Sequence, residues 1–237
     1  KSTRFPNKML VDIRGSSLIR YVYKKCSKSK IFKDLMVATC DKEIFNEITN
    51  NKGKAIMTSH LHKGCISRIA EAVNKIDSIK LEDFICIVQG DEVLVNSKLL
   101  NKLCNFVKKN KKKCNIVNVV SKIKNHKEYK SKNVIKALVS KNNYIINMLR
   151  NNNIYNTKFF NQKISKKVFR QTGIIVLKKK FLIKYLKLKR SFFEIKESID
   201  MLRFIENDIK IKSFVINRTM IGIDTKKDYI NFLKNHK

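Results

Sequence analysis

Phe84-Ile85-Cys86-Ile87-Val88-Gln89-Gly90-Asp91-Glu92 is the stretch on which the reading of the fold turns. Five apolar residues in a row, three of them β-branched, predict a strand covered on both faces. Gly90 ends it and a carboxylate follows at once. In open α/β sheets ligands gather at the carboxyl ends of strands, so Asp91 is placed at the mouth of a site. A strand ending in an ordinary polar turn is the plainer alternative.

Working outward, strands and helices alternate. Helices are predicted over 17–26, 41–48, 67–76, 99–107, 179–186, 194–206 and 226–235. Strands are predicted over 34–39, 54–57, 84–89, 115–121, 172–177, 209–216 and 221–223, with a hairpin from 134–139 and 144–149. Lys108–Lys113 reads as an exposed turn, 122–133 as polar, and 151–168 as the least structured part. This order implies a single α/β domain over residues 1–237, with a central, mostly parallel sheet, helices on both faces, and a small excursion over about 140–205.

Composition narrows the class. Hydrophobic residues make up 43% of the 237, enough for a globular core. No apolar run is long enough to span a bilayer, and no secretory signal is seen, so no membrane partner is expected and the location is read as cytoplasmic. The six cysteines are scattered without a CxxC pair, which fits free thiols in a reducing compartment. The formal net charge is +34, from 53 Lys+Arg against 19 Asp+Glu. The lysines are spread evenly, with no arginine-rich arm and no basic-aromatic motif. The excess therefore reads as compositional, favouring acidic small substrates rather than a specific nucleic acid.

The first residues, Lys1-Ser2-Thr3-Arg4-Phe5-Pro6-Asn7-Lys8, form a polar cationic loop suited to phosphate oxygens, although it lacks the Gly-Lys-Ser/Thr of a Walker loop. This loop resembles the S-T/S-R-x-P-G-K loop of sugar-activating cytidylyltransferases. Val37-Ala-Thr-Cys-Asp41 resembles their V-A-T-D-D, Met57-Thr-Ser59 with His62 their M-T-S-x-x-H, and Val88-Gln-Gly-Asp-Glu92 their V-Q-G-D-E-P. Gln171-Thr-Gly-Ile174, Glu197-Ser-Ile-Asp-Met-Leu-Arg203 and Ile223-Asp-Thr225 follow in the family's order. Seven motifs in register resemble the 3-deoxy-manno-octulosonate (Kdo) cytidylyltransferase family, least between about residues 105 and 168.

The resemblance implies a three-layer nucleotidyltransferase fold whose excursion carries sugar binding and homodimer pairing. It implies Mg²⁺-dependent transfer of CMP from CTP to Kdo or a closely related acidic keto-sugar. Arg4, Lys8 and Asp91 would be catalytic. Ser2, Thr3, Arg4, Lys8, Thr39, Asp41, Ser59, Arg68 and Gln89 would bind the nucleotide. Gln89, Arg150, Gln171, Glu194 and Glu197 would bind the sugar, and Asp91 and Asp224 would hold the metal. A nonulosonic acid as acceptor is the alternative enzyme reading, and a degenerate nucleotide- or sugar-binding protein the noncatalytic one.

Plainer readings stand beside these roles. Asp224 could cap the closing helix. Glu194, Glu197 and Asp200 recur every three residues and could be a solvated helix side. His60 and His62 lack a third metal ligand. The departures from the family pattern are also specific. Asn7 replaces the loop glycine, Cys40 an Asp, and Val93 the Pro after Gly-Asp-Glu. Gly64-Cys-Ile-Ser-Arg68 keeps only the Arg of its segment. Leu149 stands for a Ser, Asn151-Asn-Asn-Ile154 for a Pro-Ile-Pro turn, and Gln171 for the usual His. The family's first strand and its Pro-Ala-Arg lie before Lys1, so the reading is of a divergent, N-terminally truncated member.

Overall fold

The opening strand is β3, Phe84–Val88, and it lies at one edge of a six-stranded sheet. The computed structural model describes residues 5–150 and 167–236 of the chain. Ser2, Thr3, Arg4 and the segment from 151 to 166 lie outside the described residues. Both faces of β3 are covered, Ile87 by one hydrophobic cluster and Phe84, Cys86 and Val88 by the other. Most of its residues are nevertheless only half-buried, because among the described strands β3 pairs with one neighbour alone.

The helices are α1 Leu18–Ser27, α2 Lys42–Asn50, α3 Cys65–Asn74, α4 Ser97–Lys109 and α5 His126–Lys130, then α6 Lys179–Lys187, α7 Phe192–Glu197, α8 Leu202–Ile205 and α9 Lys226–Asn235. The other strands are β1 Val37–Thr39, β2 Ala55–Met57, β4 Ile116–Ser121, β5 Lys136–Val139, β6 Tyr144–Leu149, β7 Val168–Lys178 and β8 Ile211–Ile216. The sheet order is β3-β7-β4-β8-β6-β5, and β1 and β2 form a separate parallel pair. β4 and β8 are parallel, and β3 runs the same way, since β7 is antiparallel to both β3 and β4. β5, antiparallel to both β6 and β7, also runs with β3, β4 and β8, so four of the six strands point one way and only β6 and β7 run against them.

Side chains alternate across the sheet and build the two outer layers. Val117, Val119, Ile174 and Val176 face α1, α4 and α9 through Leu18, Leu100, Leu103 and Phe232. Ile116, Val120, Ile175 and Leu177 face α3 and α6 through Ile66, Val73, Leu182 and Tyr185. Each fully buried Leu or Ile contributes about 1.5–3 kcal/mol relative to exposure.

Three sequence expectations change. The helix expected over 194–206 is two short helices, α7 and α8, because Ser198 takes a left-handed conformation (φ 53). No strand forms over 221–223, where Ile223 N–H instead donates to the Asp91 carbonyl at 3.2 Å. The polar stretch 122–133 contains α5, capped by Asn125 accepting from Glu128 N–H at 2.9 Å.

Candidate active site

A turn carries the chain from β3 into the site. Glu92 N–H donates to the Gln89 carbonyl at 3.1 Å, and Val93 N–H to that of Asp91 at 2.9 Å. Gly90 packs closely here, since a Cβ would come within 2.7 Å of Ile19 Cδ1 and that side chain would have to shift. Lys8 reaches Asp91 from a single helical turn, Lys8–Leu10, and Asn7 ahead of it has φ 52. Asn tolerates that left-handed backbone better than most residues, which explains how it serves where the family pattern has glycine.

Lys8 Nζ lies 2.6 Å from Asp91 Oδ2 and 3.5 Å from Asp224 Oδ1, and donates to the Ile223 carbonyl at 3.0 Å. The two carboxylates, 133 positions apart in the chain, therefore converge on one cation. Asp224 does not cap the closing helix. Thr225 does, accepting from Asp228 N–H at 3.2 Å while the Asp228 carboxylate accepts from Thr225 N–H at 2.8 Å.

Asp91 and Asp224 line a cavity of about 220 Å³, together with Gln89, Arg150 and Gln171. Gln89 Nε2 lies 3.4 Å from Cys65 Sγ, and Gly173 leaves the room that the Gln89 side chain fills. Arg150 Nε donates to the Glu197 carbonyl at 2.8 Å, and its N–H to Glu197 Oε2 at 2.7 Å. Arg150 thus meets the cavity while tied to the end of α7, and Glu197 acts by holding it.

Glu194 is elsewhere. It is 3% exposed and paired two-pronged with Arg203, Nε to Oε2 at 2.7 Å and Nη2 to Oε1 at 2.6 Å. Burial opposes its ionisation, but Arg203 and the Ser191 N–H outweigh that and hold the carboxyl below the usual range. It does not line the cavity, so the sugar-binding role expected for it is replaced by a structural one. The third acid of the row, Asp200, accepts from Ile66 N–H at 3.2 Å in the first turn of α3. The break at Ser198 turns Asp200 away from Glu194 and Glu197 of α7, and the three acids meet different partners.

Of the expected nucleotide residues, Thr39, Asp41, Ser59 and Arg68 form a second group beside β1 and β2, while Lys8 and Gln89 belong to the first. Thr39 Oγ1 accepts from Asp41 N–H at 3.1 Å, and Asp41 caps α2 through Glu43 N–H at 2.9 Å. Arg68 Nη1 donates to Thr58 Oγ1 at 2.8 Å and to the Ser59 carbonyl at 3.3 Å. Glu71 accepts from Ser59 N–H at 2.9 Å and pairs with His62 and Lys75. Lys75, the Ser59 N–H and His62 together hold its carboxyl down to about 2. His62 therefore fixes the 58–62 loop and is no metal ligand in this arrangement.

Two residues at the cavity carried no signal that sequence reading used. Glu92 is buried, with Oε1 accepting from Gly173 N–H at 2.5 Å and Oε2 without a partner among the described residues. Burial, with Asp91 beside it, pushes its carboxyl up to about 7. Arg170 lines the cavity and is paired with Glu128 of α5 at 2.7 Å. Its position next to Gln171 on β7 was the available clue.

The place between Asp91 and Asp224 suits a hard divalent cation. A positive ammonium already stands there, the donors are carboxylate oxygens, and Glu92 is part of the cavity lining alongside. Among the described residues there is no cluster of three or more His, Cys, Asp or Glu able to form an all-protein cage. An ion at this place would complete its coordination from substrate and water.

Layered sheet, converging carboxylates and cation together fit a nucleotidyltransferase. The chain belongs to the cytidylyltransferase family, whose profile matches residues 1–211. It is 37% identical to the 3-deoxy-manno-octulosonate cytidylyltransferase of Fusobacterium nucleatum, over 99% of this chain and 94% of that one. It is 31% identical to the protein of the same name from Thermodesulfovibrio yellowstonii, over 96% and 91% of the two chains. Among solved structures, CMP:2-keto-3-deoxy-manno-octonic acid synthetase complexed with CTP matches with a TM-score of 0.84 at 23% identity, over 99% of this chain and 93% of that one. A 4-diphosphocytidyl-2C-methyl-D-erythritol synthase from Anaerococcus prevotii shares the fold at a TM-score of 0.61 and 15% identity, over 96% of this chain and 92% of that one.

Proposed function

We propose that the chain transfers CMP from CTP to Kdo or a closely related acidic keto-sugar and releases pyrophosphate, with Mg²⁺ held by Asp91 and Asp224. The observation that carries this reading is the convergence of both carboxylates and Lys8 at the mouth of a cavity bearing Gln89, Arg150 and Gln171. The names of the curated relatives supply the substrates.

In this reaction the sugar's anomeric oxygen forms a bond to the α-phosphorus of CTP. The bond from that phosphorus to the β-phosphate bridge breaks, and the hydroxyl proton is lost to solvent. Such chemistry is mainly positioning and neutralisation of charge. Asp91 and Asp224 would hold a divalent ion, which would supply that neutralisation when bound. Lys8 is a buried point charge in monodentate contact with Asp91, and its ammonium would offset charge on the triphosphate. Arg150 and Gln171 present donors to the acidic sugar, and the group around Arg68 and Ser59 frames the nucleotide. Arg4, Ser2 and Thr3 belong to the proposed phosphate loop.

The six cysteines are free thiols, which supports a reducing, cytoplasmic location. Phe192, Phe193 and Ile195 of α7 are at least half exposed, at 68%, 50% and 53%, and support homodimer pairing through the excursion. Sedimentation velocity of Phe192→Ser tests that pairing, with a monomer as the expected result.

The test of function is pyrophosphate release with CTP, Mg²⁺ and a panel of acidic keto-sugars. Release with Kdo is the expected outcome. Release confined to a nonulosonic acid would move the acceptor. Binding of CTP or sugar without release from any of them would establish the noncatalytic reading.

A further inference from the structure

Lys136 opens β5 and is only 2% exposed. Its Nζ donates to three main-chain carbonyls, Arg150 at 2.6 Å, Val134 at 2.8 Å and Ser131 at 2.9 Å. An ammonium has three N–H donors and no acceptor, so each donor is used. Burying a cation on carbonyls is costly compared with an apolar side chain of similar length, so its value lies in what it holds.

What it holds is one wall of the cavity. The turn after α5 contributes Asn133, Val134 and Ile135 to that wall, and Arg150 at the end of β6 contributes next to it. β5 and β6 pair antiparallel with Lys136 opposite Leu149, so the strand ladder stops one residue short of Arg150. The ammonium bridges that gap by binding the Arg150 carbonyl. Arg150 in turn grips the Glu197 carbonyl through Nε, beside Ser198, which also lines the cavity.

We propose that Lys136 is a positioning residue for the acceptor sugar, its buried ammonium pinning the turn before β5 to Arg150 and so setting the wall the sugar meets. This rests on the functional reading above. The charged groups facing Lys136 are Arg150, Glu197 of α7, and Arg170 directly opposite on β7. Burial, assisted by Arg150 and opposed by Glu197, pulls the Lys136 pKa down to about 8. A neutral amine has two N–H donors, and its lone pair would face a carbonyl. The pin is therefore complete below about pH 8 and loosens above it.

The experiment uses the full chain with CTP, Mg²⁺ and Kdo. In Lys136→Met the KM for Kdo should rise by about tenfold to about a hundredfold, while the KM for CTP stays within about twofold. Lys136→Gln, which keeps two donors and does not titrate, should fall between. In the wild type the Kdo KM should be flat to about pH 8 and climb above it, and both variants should lack that climb. If Lys136→Met does not fold, the wild-type pH profile decides, and a flat Kdo KM up to about pH 9.5 overturns the inference. An unchanged Kdo KM in a folded variant, or Kdo and CTP values rising together, overturns it too. Calorimetry of Kdo binding separates the two readings. A wild type that binds Kdo without turnover overturns the functional reading alone, equal affinity in wild type and Lys136→Met overturns this one, and no binding at all overturns both.

Discussion

Two carboxylate–cation groups in this molecule look alike in sequence and differ in kind. At the cavity, Lys8 touches Asp91 and Asp224 as a point charge, and both acids keep oxygens toward the cavity. Beneath α7 and α8, Glu194 is gripped two-pronged by Arg203 and is closed off from solvent. A carboxylate with both oxygens saturated by a rigid guanidinium has little left to offer a ligand. One held by a single monodentate ammonium keeps acceptor capacity for a substrate or an ion. Partner geometry and exposure, rather than the presence of a charge pair, separate site from scaffold.

The largest effect should come at the first group. Asp91→Asn preserves shape and removes the charge, so kcat should fall by at least about 10³-fold with an unchanged circular dichroism spectrum. Retention of a tenth of the wild-type rate by this variant would break the comparison. At the second group the effect should fall on stability. Arg203→Ala strands a buried Glu194 carboxylate and should cost about 3–5 kcal/mol in urea unfolding, with the KM values of the folded fraction unchanged. A shifted Kdo KM at unchanged stability would return Glu194 to the sugar site.

A smaller effect lies at the 58–62 loop, where the Glu71 carboxyl is held down to about 2. An acid whose folded pKa is depressed contributes stability above its unfolded pKa and loses it as pH falls through the folded one. The thermal midpoint should therefore drop between about pH 4.5 and about pH 2, and Glu71→Gln should lack that part of the drop. A variant with the same acid profile as wild type would show that the pairing with His62 and Lys75 contributes nothing there.

The place of Asp91 was legible because it depends on local grammar: an apolar run, a glycine and an acid put it just past the end of β3. Asp224 read from the residues alone as a helix cap, and only the family resemblance set it beside Asp91, because no strand precedes it and the cap falls to Thr225. Glu194 was misread because its partner depends on a break that periodicity does not show. In a continuous helix of about 3.6 residues per turn, residues nine apart point to opposite sides. The left-handed Ser198 is what brings Arg203 round to Glu194, and a serine in that conformation has no sequence signature. Similarly, the apolar pattern of β3 showed that both its faces are covered but not that one edge lacks a described neighbour. The carbonyl cage of Lys136 was invisible for a related reason: one of its three acceptors lies 14 residues away and none is a side chain.

Helix α3 carries a consequence of its own. Its first turn is fastened to Asp200, for which Gly64 alone leaves room, and its next turns carry Arg68 and Glu71, which hold the 58–62 loop. One helix of ten residues thus touches both proposed substrate walls. If a tilt of that helix moves both walls together, occupancy of the two would be linked through a single mechanical coordinate. Linkage then demands symmetry: by whatever factor CTP changes the affinity for the sugar, the sugar changes the affinity for CTP by the same factor.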